Sequence, residues 1–211
     1  MKKAKKIGVI HTTPATLQST EALIKRLIDG AEVMNILDDT ILKDMAAQNR
    51  VDLVRERWIN YAEILEKMGA DAVLSACSTV GPFAEEADTM LKIPVVRIDD
   101  AMAQKAAETG GNITVLATFK PTLGPTTDLI KRKNPDAQIK TVLIDEAYRE
   151  LALGNVEKHN QLIADTVKAE LENADVIVLA QASMAGALEE KSEKILTSPE
   201  MGIMRLRDIL G

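Results

Sequence analysis

The sequence predicts an α/β fold of two pseudo-twofold-related lobes, each a mostly parallel sheet flanked by helices, with an active site in the cleft between them. Three observations predict it. Short apolar runs alternate with helical patterns along all 211 residues, the signature of strand–helix units. Most of these runs are continuous rather than alternating, as strands covered by helices on both faces must be. The chain also repeats itself. ADAVLSACST at 70–79 returns as ADVIVLAQAS at 174–183, and IGVIHT at 7–12 returns as ITVLAT at 113–118. Two similar lobes provide a cleft, a common place for a small-molecule site.

Each element has its own signal. The first strand, 6–11, follows a solvated lysine run. A helix over 16–29 stops at Gly30, and a strand over 32–37 follows. A helix over 51–68 stops at Gly69; Trp58 and Tyr61 on it read as packing or a subunit contact. Next come a strand at 71–76, a helix at 83–91, a strand at 94–98 and a helix at 100–109, stopped by Gly110-Gly111. The second half continues with strands at 139–144 and 175–180 after the one at 113–117, and with helices at 122–133, 155–172 and 184–191. The helix 155–172 places Val156, His159, Ile163 and Val167 near one face, with His159 half-buried and structural. In 197–211, Ser198 is the expected N-cap of a last helix and Pro199 its first residue. The lobes divide as 1–110, joined by 198–211, and 111–197.

Composition bounds the function. A hydrophobic fraction of 46% is ample for a core, and with aromatics at 2% that core is aliphatic. A net charge of −6 argues against a nucleic-acid surface. No apolar run approaches the ~18 residues of a membrane span, and Ile7–Ile10 is too short for a signal peptide, so a cytoplasmic protein is expected. One cysteine excludes an internal disulfide and a Cys-cluster metal site. The two histidines lack metal-site spacing, and no glycine-rich phosphate loop occurs, so neither a metal nor a nucleotide cofactor is expected.

Ligands of open α/β sheets bind beyond the carboxyl ends of the strands. Four such ends carry small polar residues: His11, Thr12, Thr13 and Thr16; Cys77, Ser78 and Thr79; Thr118, Lys120 and Thr122; and Gln181 and Ser183. Hydroxyls and N–H groups at helix starts suit a carboxylate. In the repeat Thr12 matches Thr118, Thr16 matches Thr122, and Cys77 matches Gln181; Glu85 and Glu86 match Glu189 and Glu190. Singly, a Ser or Thr after a strand is more often a helix cap; four ends in two repeated pairs read as a site. Cys77 stands before a Gly-Pro turn and a helix start, a setting that favours thiolate. His11 is an auxiliary candidate, equally readable as a structural loop residue.

The motifs ACSTVG at 76–81, LATFKPT at 116–122 and LAQASMAG at 179–186 resemble the aspartate/glutamate/hydantoin racemase superfamily across nearly the whole chain. The resemblance implies two lobes with the site between them, no metal, no organic cofactor and a small carboxylate or amino acid as substrate, with a homodimer as one open assembly. It implies two thiols flanking the substrate α-carbon. Cys77 matches the first; the second falls at Gln181, which neither takes nor gives a proton near neutral pH. Ser78, Thr79, Thr118 and Thr122 match carboxylate-binding positions, with Thr12, Thr13, Ala182 and Ser183 beside them. The leading expectation is a cofactor-independent racemase or isomerase with Cys77 as sole base or nucleophile. The alternatives are a one-thiol decarboxylase and a non-catalytic carboxylate-binding protein.

Overall fold

The computed structural model describes residues 4–47, 50–109, 111–188 and 192–211. They fall into two compact units, Met1–Ile98 with Pro199–Gly211, and Asp99–Ser198.

The first unit is a four-stranded parallel sheet of β1 (Lys6–His11), β2 (Glu32–Leu37), β3 (Ala72–Ser75) and β4 (Val95–Arg97), in the order β2-β1-β3-β4. Helices α1 (Leu17–Leu27), α2 (Ile41–Ala47), α3 (Val51–Lys67) and α4 (Gly81–Met90) make its connections. The central strands are the continuous apolar ones: all of β3 is buried, and so is β1 after Lys6. The edge strand β2, EVMNIL, has no fully buried residue. Trp58 of α3 is fully buried against Ile10, Val54, Val73 and Val80. It is therefore core; burial of a side chain of this size stabilises by ~1.5–3 kcal/mol or more. Tyr61 packs on the same cluster, and its hydroxyl donates to Asp38 at 3.0 Å.

The second unit has the same plan. Its sheet joins β5 (Asn112–Ala117), β6 (Gln138–Leu143), β7 (Val176–Leu179) and β8 (Ile195–Thr197) in the order β6-β5-β7-β8, again parallel. Its helices are α5 (Asp100–Thr109), α6 (Lys120–Lys133), α7 (Asp145–Ala152) and α8 (Val156–Glu170). The repeat extends to register. Ile7 pairs with Ala72 as Ile113 pairs with Val176, and Ile10 pairs with Ser75 as Leu116 pairs with Leu179. The repeated aspartates do one job: Asp71 accepts the Lys6 N–H at 2.8 Å and Asp175 that of Asn112 at 2.7 Å, fixing the start of each first strand.

The last helix, α9 (Ser198–Leu210), groups with the first unit from Pro199 onward. Lys5 donates to the Leu210 carbonyl at 2.5 Å, and Arg26 pairs with Glu200 at 3.4 Å. Gly202 lets the helix reach the strand end, since a Cβ there would stand 2.2 Å from the Ile98 carbonyl oxygen.

Several elements differ from expectation. The helix α5, on the first-lobe side of the sequence division at 110, packs on α6, β7 and β8 of the second unit. β8, α2 and α7 were not anticipated: three to eight residues give too little periodicity to stand out. The helix expected over 184–191 is a 3-10 segment, Ala182–Ala187, whose ASMAGA sequence is poor in strong helix formers besides alanine; residues 189–191 lie outside the described ones. Val156 is exposed at the first turn of α8, while Ile163 and Val167 are buried. His159, expected to be half-buried, is fully buried, because α7 packs over it and its Nδ1–H donates to the Ala147 carbonyl at 2.8 Å. Ser198 opens α9, but its buried hydroxyl makes no hydrogen bond and so does not cap it. Among the described residues no helix is long and apolar enough to cross a membrane.

Candidate functional site

In the first unit the site candidates sit at the carboxyl ends of the central strands. β1 and β3 are neighbours, and the Ala76 N–H donates to the Ile10 carbonyl at 3.0 Å one residue before the thiol. Parallel pairing therefore brings the loops 12–16 and 77–81 side by side. Cys77 is extended (φ −138°, ψ 118°) and stands immediately before a 3-10 turn, Ser78–Val80, that runs into α4. It is half-buried and packs on the cluster containing Ile10, Val73 and Val80. Helix-start N–H groups lie next in the chain, a setting that favours anionic groups.

The hydroxyls around this strand end have a common property. Thr12, Thr16 and Ser78 are buried, and none of their side-chain oxygens has a hydrogen-bond partner. A buried hydroxyl without a partner costs ~1–3 kcal/mol, and each of the three is left able to donate a hydrogen bond. Thr13 differs: it is half-buried, and its oxygen accepts the Ala15 N–H at 3.3 Å, capping the turn Pro14–Thr16. Thr79 is buried. Beside the start of α4, the buried Arg97 guanidinium lies against Gly81 and pairs with Glu85 at 2.8 Å. Glu86 pairs with Arg55, which holds its carboxyl below the usual range. The repeat partners of these two, Glu189 and Glu190, lie outside the described residues.

His11, the last residue of β1, is fully buried. Side chains alternate along a strand, so Ile10 and His11 face opposite sides of the sheet. Ile10 faces the cluster on which Cys77 packs; the His11 ring turns toward β2, where its Nε2 lies 3.1 Å from Asn35 Oδ1. Asn35 in turn donates from Nδ2 to Glu21 at 2.8 Å. Burial lowers the imidazole pKa below its usual value, partly opposed by the Asn35 bond and the Glu21 charge. Sequence reasoning did not single out Asn35 or Glu21, because only the pairing of β1 with β2 brings Asn35 to the ring.

The second unit resolves its strand ends differently. Gln181 Oε1 accepts the main-chain N–H of Thr118 at 2.7 Å and that of Phe119 at 3.1 Å, and the Thr118 hydroxyl lies 3.2 Å away. Gln181 Nε2 is within 3.0 Å of the same hydroxyl. Phe119 is the residue just before α6, so the glutamine carbonyl sits at a helix start, where N–H groups otherwise lack partners. Thr118 and its repeat partner Thr12 thus differ: one hydroxyl is engaged by Gln181 and the other has no partner. Thr122 is fully buried in the first turn of α6, and its main-chain N–H donates to the Phe119 carbonyl at 3.0 Å. Lys120 opens α6 and is exposed; Ala182 and Ser183 open the 3-10 segment after Gln181 and are half-buried. Among the described residues no group of three or more His, Cys, Asp or Glu is placed to hold a metal ion.

The model of the Asp/Glu/hydantoin racemase family matches residues 7–201. The fold is similar to that of an aspartate racemase from Picrophilus torridus, with a TM-score of 0.78 at 18% identity over 99% of this chain and 95% of that one. It is similar to a glutamate racemase from Francisella tularensis in complex with D-glutamate, with a TM-score of 0.72 at 16% identity over 98% and 81%. An aspartate racemase homologue from Pyrococcus horikoshii gives 0.68 at 19% identity over 98% and 99%. No curated protein matches the sequence.

Proposed function

Because the chain belongs to the Asp/Glu/hydantoin racemase family, we propose that it is a cofactor-independent isomerase acting at the α-carbon of a small carboxylate or amino acid, with Cys77 as its only thiol. One observation supports this above the others. The half-buried Cys77 follows a central strand whose neighbouring loop residues Thr12, Thr16 and Ser78 hold buried hydroxyls without partners. In the proposed step the Cys77 thiolate takes the α-proton: an S–H bond forms, the C–H bond breaks, and its electron pair moves onto the carboxylate as an enediolate. The hydroxyls donate to that developing charge. The proton then returns from Cys77 or from water.

A second reading has specific support as well. Gln181 matches Cys77 in the repeat, where the resemblance implies the second thiol, and an amide is not a proton donor for catalysis; its oxygen accepts the Thr118 and Phe119 N–H groups. A one-thiol decarboxylase needs only one acid. Its substrate loses CO2, and the Cys77 thiol gives its proton to the carbanion left behind.

The test is incubation in heavy water with a panel of amino acids, hydroxy acids and malonates, following α-deuterium, optical rotation and CO2. The expected result is α-exchange of at least one substrate by the wild type and none by Cys77→Ser, since a serine hydroxyl is far less acidic. Full activity in Cys77→Ser would overturn both thiol readings. Absence of any turnover, with small carboxylates still shielding Cys77 from iodoacetamide, would instead identify a carboxylate-binding protein.

A further inference from the structure

Arg97 places a full positive charge inside the first unit, and the proposed chemistry leaves it without a role. It is the last residue of β4 and pairs in register with Ser75 of β3, two residues before the thiol. Its side chain is only 3% exposed, and a guanidinium stays protonated even there. A Cβ on Gly81, the first residue of α4, would stand 2.3 Å from Arg97 Cζ, so the guanidinium occupies the space a side chain would need. That end of a helix already carries partial positive charge, so a cation there does not stabilise α4. Glu85 offsets part of the cost of burial, at 2.8 Å and from a side chain 41% exposed. The repeat shows what accompanies this arrangement. With the offset that matches Cys77 to Gln181, Gly81 matches Ala185, and β8 pairs Thr197 with Leu179 where β4 pairs Arg97 with Ser75. Thiol, glycine and guanidinium occur together in one unit; glutamine, alanine and threonine stand together in the other. The same sheet forms in both, so the fold itself does not require the cation.

We propose that Arg97 is a positioning residue for anions at Cys77: it holds a fixed positive charge at the α4 start, which draws an anionic ligand to the thiol without touching it. The inference rests on the thiol reading above and deepens it. Cys77 and Gly81 are four residues apart across the 3-10 turn, and such a turn rises ~2 Å per residue, so the charge lies within roughly 10 Å of the cysteine main chain. At that separation a unit charge changes the local preference for an anion about threefold at low ionic strength. Ser78, in the same turn, is buried with a hydroxyl that has no partner. A free donor and a cation both suit an anion, and neither suits an apolar ligand. Gly81 makes room for the guanidinium, and Glu85 tempers its charge from the solvent side.

The experiment alkylates the intact chain with iodoacetate and, separately, with iodoacetamide. Both deliver the same carbon to the thiol, forming the S–C bond as the C–I bond breaks and iodide leaves; they differ in one negative charge. The ratio of the two rates at low ionic strength therefore reads the potential at Cys77, the chain's one cysteine, whereas a purely structural change moves both rates alike. Arg97→Met should lower the iodoacetate-to-iodoacetamide ratio about threefold, and added salt should erase most of that difference. Glu85→Gln keeps an oxygen for the guanidinium and removes a negative charge, so it should raise the ratio about twofold; it carries the test if Arg97→Met does not fold. A ratio unchanged in Glu85→Gln, or in a folded Arg97→Met, overturns this inference and leaves the thiol reading standing. Failure of both reagents to label Cys77 in the native protein overturns the thiol reading and this inference with it.

Discussion

Gln181 Oε1 lies 2.7 Å from the main-chain nitrogen of Thr118, so the second unit satisfies with its own side chain the helix-start donors that a repeat-based reading would offer to a substrate carboxylate. The first unit, with a cysteine at the matching place, has hydroxyls without partners instead. A single glutamine therefore separates two strand ends that share topology and register.

Gln181→Glu should be tolerated. The carboxylate can accept the same Thr118 and Phe119 N–H groups, and charge-assisted bonds at a helix start are the stronger kind. Its folded pKa would fall below the ordinary ~4.3 of glutamate. The added stability should be full above that value and be lost as pH falls toward the folded pKa. Unfolding in denaturant at pH 7 and pH 3.5, for variant and wild type, measures it; a stability difference that does not change between these pH values would contradict the assignment.

Gln181→Cys restores a thiol at the matching position of the repeat. For a substrate the wild type exchanges or decarboxylates with one handedness, racemisation should rise in this variant, because two-way racemisation needs a proton donor for each face. Polarimetry with α-deuteration reads it. Efficient two-way racemisation by the wild type would show that a group other than these two residues completes the chemistry.

Gly202→Ala should lower stability by about 1–3 kcal/mol, the usual cost of overpacking. The new Cβ would meet the Ile98 carbonyl oxygen at 2.2 Å, and backbone cannot swing aside as a side-chain tip can. The helix propensity gained by alanine, ~1 kcal/mol, opposes this and is outweighed. Thermal unfolding should show a fall of a few degrees. An unchanged or raised Tm would mean that α9 shifts freely on the first unit.

His11 gives stability a pH dependence. Its folded pKa is lowered, chiefly by burial, with Asn35 and Glu21 facing it. As pH falls below the unfolded value of ~6.5, the unfolded chain takes a proton that the folded one refuses, so stability drops until the folded pKa is reached. Between pH 7.5 and 5.5 the wild type should lose more stability than His11→Gln, measured by denaturant midpoints. Identical losses would show that the ring is not protected from protonation.

The order of the central strands' residues, the repeat and the polar strand ends were legible in the sequence because each is local. Continuous apolar runs such as VLSA at 73–76 identify buried strands whatever surrounds them, and Thr12 or Cys77 follows a strand in any fold that contains it. The family's motifs were legible for the same reason. Tertiary structure alone decided the rest. α5 joins the second unit because its apolar face meets α6 and β7, which no pattern inside 100–109 reveals. The His11 ring reaches Asn35 because β2 and β1 pair in one register, across 24 residues of chain. Whether a polar group is engaged or orphaned depends on partners supplied from elsewhere in the fold: Gln181 finds the Thr118 and Phe119 N–H groups 63 and 62 residues away, whereas the Thr12 and Ser78 hydroxyls find none.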